Sequence, residues 1–220
     1  MLQTLSAWDE TTSSVIDAAV QRAVEVARAG GVIAFPTDTL FGVAVDGRNP
    51  IAVQHVFQVK RRPLDKPLPL LLGYAAHASE LIEHGYISEG ARQLMGLYWP
   101  GALTILLPAR QGLVEGTHGG GKVAIRVPNH PVALALLRGF GGPLATTSAN
   151  ISGEEGARNP EEVAVSIGEG IDLLLVGGPR LKEVASTIID MAVQPPELVR
   201  AGAIPWEELL ATLQENSSSA

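Results

Sequence analysis

The chain has 220 residues, 46% of them hydrophobic and 18% charged, with a formal net charge of −7 and no cysteine. These figures exclude a disordered chain, a disulfide scaffold, cysteine-ligated zinc and a thiol nucleophile. They also count against a protein whose main work is to coat nucleic acid, because neutralising phosphate calls for a basic surface. The opening stretch MLQTLSAWDETTSS lacks the basic start and apolar run of a signal peptide. No apolar run approaches the roughly 18 residues of a membrane span. The cytoplasm is the expected location.

In chain order, Ser14–Ala29 reads as an amphipathic helix, with Ser14 and Asp17 as a capping box and Gly30-Gly31 as its stop. Val32–Pro36 reads as a short buried strand, followed by the polar loop Thr37-Asp38-Thr39 and a second strand over Gly42–Asp46. Asn49-Pro50 opens a helix that runs to about Lys60. Further strands are expected at Leu68–Leu72, Leu103–Leu107, Val123–Val127, Pro143–Thr147, Leu173–Val176, Thr187–Asp190 and Glu197–Arg200. Helices are expected at Ala75–Glu83, Glu89–Tyr98, Pro131–Arg138, Pro160–Ile167 and Trp206–Leu213. Short apolar strands interleaved with helices indicate an α/β domain. The last two strands lack an intervening helix, so the sheet should be mixed. No linker divides the chain, which predicts one domain over 1–220 with a core of about 14–213 and a frayed polar tail.

Gly116-Thr-His-Gly-Gly-Gly-Lys122-Val123 nearly spells a phosphate-binding P-loop, but its last position should be Ser or Thr, and the residues that follow read as a strand rather than a helix. A loop lying over a ligand is the better expectation. The five histidines, at 55, 77, 84, 118 and 130, show no metal-ligand spacing and are expected on the surface or in loops. Lys60-Arg-Arg-Pro-Leu-Asp-Lys66 holds four of the sixteen basic residues. Two readings stand: cations favoured by a helix C-terminus, or a phosphate clamp. Thr37-Asp38-Thr39 and Thr146-Thr-Ser-Ala-Asn150 each follow a buried strand, where ligands dock in α/β sheets and where turn chemistry also places such residues. Arg126 interrupts the apolar run Val-Ala-Ile-Arg-Val; it either points outward on an edge or reaches a carboxylate ligand.

Seven blocks in register resemble the YrdC-type threonylcarbamoyl-AMP synthases: Pro36-Thr-Asp-Thr-Leu-Phe-Gly42, Lys60–Pro67, Trp99-Pro-Gly-Ala-Leu-Thr104, Val123–Pro128, Thr147-Ser-Ala-Asn-Ile-Ser-Gly153, Ser186–Asp190 and Leu198-Val-Arg-Ala-Gly202. The resemblance implies a twisted open mixed α/β sheet with flanking helices and a concave basic groove, in the short single-domain form. It implies synthesis of threonylcarbamoyl-AMP and pyrophosphate from L-threonine, bicarbonate and ATP, for a tRNA threonylcarbamoyladenosine modification, with Mg2+ arriving on the ATP. It marks Lys60, Arg62, Ser148 and Asn150 as catalytic and nucleotide-binding, Arg200 as a nucleotide contact, and Thr37, Arg126, Thr146 and Ser186 as the threonine site. A tRNA threonylcarbamoyl transferase would receive the product, any tRNA contact being weak and transient. The alternatives are an RNA-binding module or a carbamoyltransferase-type module on the same fold. Four positions depart from the family pattern: Asp38 for glutamate, Phe41 for tyrosine, Leu71 near a frequent histidine, and Ala201 for proline.

Overall fold

The computed structural model describes residues 2–83, 87–179 and 181–217, the side chains of 215–217 excepted. His84 and the end of the polar tail lie outside them. The strands are β1 (Gln3–Ser6), β2 (Trp8–Asp9), β3 (Ser14–Val15), β4 (Ile33–Phe35), β5 (Gly42–Asp46), β6 (Leu70–Leu71), β7 (Leu103–Pro108), β8 (His118–Gly119), β9 (Lys122–Arg126), β10 (Leu144–Ser148), β11 (Leu173–Val176), β12 (Thr187–Asp190) and β13 (Glu197–Arg200). The α-helices are α1 (Asp17–Arg28), α2 (Pro50–Lys60), α3 (Glu89–Tyr98), α4 (Pro131–Phe140), α5 (Pro160–Ile167) and α6 (Trp206–Ser217). None of the described helices is long and apolar enough to cross a membrane.

One mixed sheet runs in the order β1-β11-β4-β5-β10-β6-β9-β7-β12-β13, with β8 paired to β9. Strand alternation divides its residues between two cores. Ala34, Val43, Val45, Leu70, Ile105, Ile125 and Leu174 face one side, where α2, α3, α5 and α6 pack. Ile33, Phe35, Ala44, Leu71, Leu173 and Leu175 face the other, where they meet α1 and α4. The second pair of helices packs on the strands from β1 to β6 and on the small β2–β3 pair. On that face the strands β9, β7 and β12 carry no helix from the second core.

Local chemistry explains the element ends. Asn49 Oδ1 accepts from the amides of Ile51 (3.1 Å) and Ala52 (3.2 Å), Pro50 takes the first helical turn, and α2 stops at Arg61, whose φ of 49° is left-handed. Three expectations are corrected. Ser14 belongs to β3, paired with Asp9, so α1 begins at Asp17 behind Ile16 with no side-chain cap. The expected helix from Ala75 is a 3-10 turn, Ala75–Glu80. The strand expected over Leu68–Leu72 shrinks to Leu70–Leu71, since Pro67 and Pro69 lack the amide that a ladder needs.

Candidate active site

A cavity of about 520 Å³ opens on the half of the sheet that α1 and α4 leave uncovered. Alternation again selects its walls. From β9 come Lys122, Ala124 and Arg126, while Val123 and Ile125 point into the core. From β7 come Thr104 and Leu106, and from β12 Ile188, with Ser186 just before that strand. Thr146, Thr147 and Ser148 end β10, and Thr37, Thr39 and Phe41 come from the loop between β4 and β5. At β13 the ladder slips, pairing Ile188 with Arg200 and Ile189 with Leu198. Val199 is the extra residue of that bulge, and Val199 and Arg200 both reach the cavity.

The near P-loop is the β8–β9 hairpin. Gly120 (φ 58°) and Gly121 (φ 73°) make its two-residue turn, a conformation that glycine adopts without a Cβ penalty. Gly119 and Gly120 line the cavity, as expected of a loop over a ligand.

Arg126 is the most constrained cation. Its Nε donates to the Gly101 carbonyl (2.8 Å), Nη1 to Thr39 Oγ1 (3.1 Å) and Nη2 to Asp38 Oδ1 (2.5 Å). It does not point outward on an edge, and Asp38 compensates its charge inside the fold. Burial holds its pKa below the ordinary arginine value, against the pull of Asp38. Each Nη still has one N–H to offer. Lys122 is similarly paired with Asp190 (2.5 Å).

Arg62 and Arg200 are different. Arg62 Nε donates to the Lys66 carbonyl (2.7 Å) and Nη2 to that of Pro67 (3.0 Å). Arg200 donates to the Ser186 carbonyl from Nη2 (2.7 Å) and Nε (3.2 Å), and from Nη2 to Ser186 Oγ (3.0 Å). Among the described residues neither has a carboxylate partner. Burial lowers the pKa of both, and the charge of Arg200 lowers that of Arg62 further. Two neighbouring guanidiniums held by carbonyl and hydroxyl oxygens have the chemistry to attract an anion.

The hydroxyls are partly committed. Thr37 Oγ1 donates to the Leu40 carbonyl (2.6 Å) and accepts from the Thr39 amide (3.1 Å), closing its own turn. Thr146 Oγ1 donates to the Leu144 carbonyl (2.9 Å), and Ser186 Oγ lies 2.9 Å from Thr104 Oγ1. Of the residues singled out in the sequence, Thr37, Arg62, Arg126, Thr146, Ser148, Ser186 and Arg200 line one cavity. Lys60 and Asn150 are not in its wall. The Lys60 ammonium is buried and donates to the carbonyls of Ser148 and Asn150. Asn150 Nδ2 donates to those of Ile151 (2.7 Å) and Glu154 (2.9 Å). Arg61 and Lys66 of the basic cluster are exposed. His130, expected on the surface or in a loop, lies in the loop before α4 and is 2% exposed.

Sequence reasoning missed Asp38 as the partner of Arg126, and Thr104 and Lys122 as cavity residues. The alternation Thr104-Ile-Leu106 and Lys122-Val-Ala-Ile-Arg126 carried a signal for Thr104 and Lys122.

Fold and site together define a mixed-sheet α/β protein with an arginine-lined cavity built on the open half of its sheet. A family model described as Sua5/YciO/YrdC, telomere recombination, matches residues 25–202, and the chain belongs to that family. It is 37% identical to the threonylcarbamoyl-AMP synthase of Bacillus subtilis, over 91% of this chain and 58% of the relative. It is 34% identical to a putative threonylcarbamoyl-AMP synthase of Mycobacterium tuberculosis, over 90% of each. The crystal structure of P. abyssi Sua5 complexed with L-threonine superposes with a TM-score of 0.88 at 31% identity, over 96% of this chain and 60% of that one. The chain thus spans somewhat more than half the length of the B. subtilis and P. abyssi proteins.

Proposed function

We propose that this chain is a threonylcarbamoyl-AMP synthase, a nucleotidyltransferase that joins L-threonine, bicarbonate and ATP into threonylcarbamoyl-AMP and pyrophosphate. The observation that carries the reading is one cavity lined by two kinds of arginine. Arg62 and Arg200, without carboxylate partners among the described residues, suit a triphosphate. Arg126, with two N–H groups still to offer, stands in the same wall as Thr146 and Ser186, and these suit a small zwitterion. The likeness to a protein complexed with L-threonine supports the same reading.

In this mechanism the amine of threonine becomes a carbamate by taking up bicarbonate with loss of water, or carbon dioxide with loss of a proton. A carbamate oxygen attacks the α-phosphorus of ATP, and pyrophosphate leaves. The chain's own work is positioning and charge neutralisation, which is what such a transfer needs most. Arg126 forks onto the threonine carboxylate, and the hydroxyls of Thr146 and Ser186 orient the amine and side chain. Arg62 and Arg200 balance the charge that grows on the departing pyrophosphate, and Ser148 donates to a phosphate oxygen. Magnesium arrives on the triphosphate; no group of three or more His, Cys, Asp or Glu is placed to hold it among the described residues. Residues 1–220 work as one domain, in the cytoplasm, and pass the adenylate to a tRNA threonylcarbamoyl transferase.

The test is pyrophosphate release by ligand-free protein with each component omitted in turn. Release should need ATP, L-threonine and bicarbonate together and proceed without tRNA. Turnover that persists without threonine refutes the assignment.

A further inference from the structure

The cavity leaves Lys60 without a ligand role. It is the last residue of α2, 1% exposed, and one of the largest fully buried side chains. Its ammonium donates to the carbonyls of Ser148 and Asn150, and its own carbonyl accepts from the Ser152 amide at 2.8 Å. The chain leaving β10 is therefore pinned to the end of α2 at three points. Further bonds brace the same loop: Asn150 Nδ2 to the Ile151 and Glu154 carbonyls, and the Ile151 amide to Ser166 Oγ (3.1 Å). Only Ser148, where the loop departs from the sheet, stands in the cavity wall.

A lysine that neutralises phosphate must turn part of its donor shell toward the ligand. Lys60 gives two of its three N–H donors to backbone carbonyls, is 1% exposed, and is absent from the cavity wall. Burial and the charge of Arg62 bring its pKa down to about 7. The neutral amine formed above that pH still has two N–H groups, enough for both carbonyls.

We propose that Lys60 is a positioning residue: it holds the 148–152 loop, and through it Ser148, at the cavity wall, and it does not itself touch the nucleotide. The proposal rests on the nucleotide reading of the cavity given above.

The test compares Lys60→Met, Lys60→Gln and the exposed-site control Arg61→Ala. Amide exchange over residues 149–152 is measured on the whole ligand-free chain, and kcat, KM and the Kd of a non-hydrolysable ATP analogue are measured beside it. In Lys60→Met the loop should exchange at least about tenfold faster, as local opening becomes easier. kcat should fall about tenfold or more, with the analogue's Kd changed less than about threefold. Lys60→Gln keeps an N–H donor on a side chain one atom shorter, and should recover part of both. Adding Ser148→Ala to Lys60→Met should cost less than the two single effects combined, because one acts through the other. Unchanged loop exchange in Lys60→Met overturns the proposal whatever the kinetics. So does a loss of analogue affinity of about tenfold or more that Lys60→Gln shares in full. Wild-type protein without threonine-dependent turnover defeats the functional reading instead, and the exchange measurement still decides whether Lys60 holds the loop.

Discussion

Arg126 and Asp38, 88 positions apart in the chain, meet at 2.5 Å with each side chain less than a tenth exposed. The pair joins β9 to the loop after β4 and fixes the guanidinium at the cavity floor. Asp38→Ala strands that cation in a buried place, and breaking a buried pair from one side costs about 3–5 kcal/mol. Arg126→Met strands the carboxylate in turn. Replacing both should cost less than the sum of the two. Urea unfolding of the four proteins checks this; additivity within about 0.5 kcal/mol would show that the pair is not coupled.

Arg62 and Arg200, both in the cavity wall, repel each other. Arg200→Ala should therefore leave stability within about 0.5 kcal/mol of wild type, the lost bonds to Ser186 offset by the relieved repulsion. ATP binding should weaken about ten- to a hundredfold, the value of one charge-assisted hydrogen bond. Calorimetric titration with a non-hydrolysable analogue is the measurement. Unchanged affinity would remove Arg200 from the nucleotide site.

Gly202 packs where no side chain fits. A Cβ there would lie 2.4 Å from the Ser186 carbonyl carbon and the Thr187 nitrogen. Backbone cannot give way as a flexible side chain does, so Gly202→Ala should push Ser186 out of the cavity wall. The expected cost is about 1–3 kcal/mol, with a raised KM for threonine. Threonine KM unchanged in a folded variant would mean that Ser186 does not read this substrate.

His130 sets a pH dependence. Burial lowers its pKa below the ordinary 6.5, with the Pro179 carbonyl and Asp38 pulling the other way. Between the folded value and 6.5 the unfolded chain binds a proton that the folded chain refuses, so stability falls as pH drops through that window. The slope is at most about 1.4 kcal/mol per pH unit. His130→Gln should flatten unfolding free energy as pH falls below about 6.5. An equal slope in the variant would assign the effect to other groups.

Much of this fold is written locally. Asn49-Pro50 starts α2, and the turn at Arg61 ends it. The bounds of β5, α3, α5, β11, β12 and β13 can be read from apolar runs between turn residues. Period two on β7 and β9 already separates core from cavity, because successive side chains of a strand must point to opposite faces. The blocks around Arg62, Arg126, Ser148, Ser186 and Arg200 could be picked out for their chemistry before any of them had a neighbour.

What the residues alone determined, then, is the alternation of elements and the list of polar candidates, since both depend on neighbours a few positions away. Only the tertiary structure decided which candidates meet and which way each one faces. Lys60 reads either as a helix-end cation or as part of a phosphate clamp, and packing turns it inward to two carbonyls 88 and 90 positions on. Arg126 reads either as an edge charge or as the partner of a carboxylate ligand; Asp38 meets it inside the fold, and a bulge too small to announce itself in Leu198-Val-Arg200 brings Val199 and Arg200 together onto the cavity. A side chain's charge belongs to its own chemistry. Its partner and its pKa belong to groups that the chain brings near only by folding.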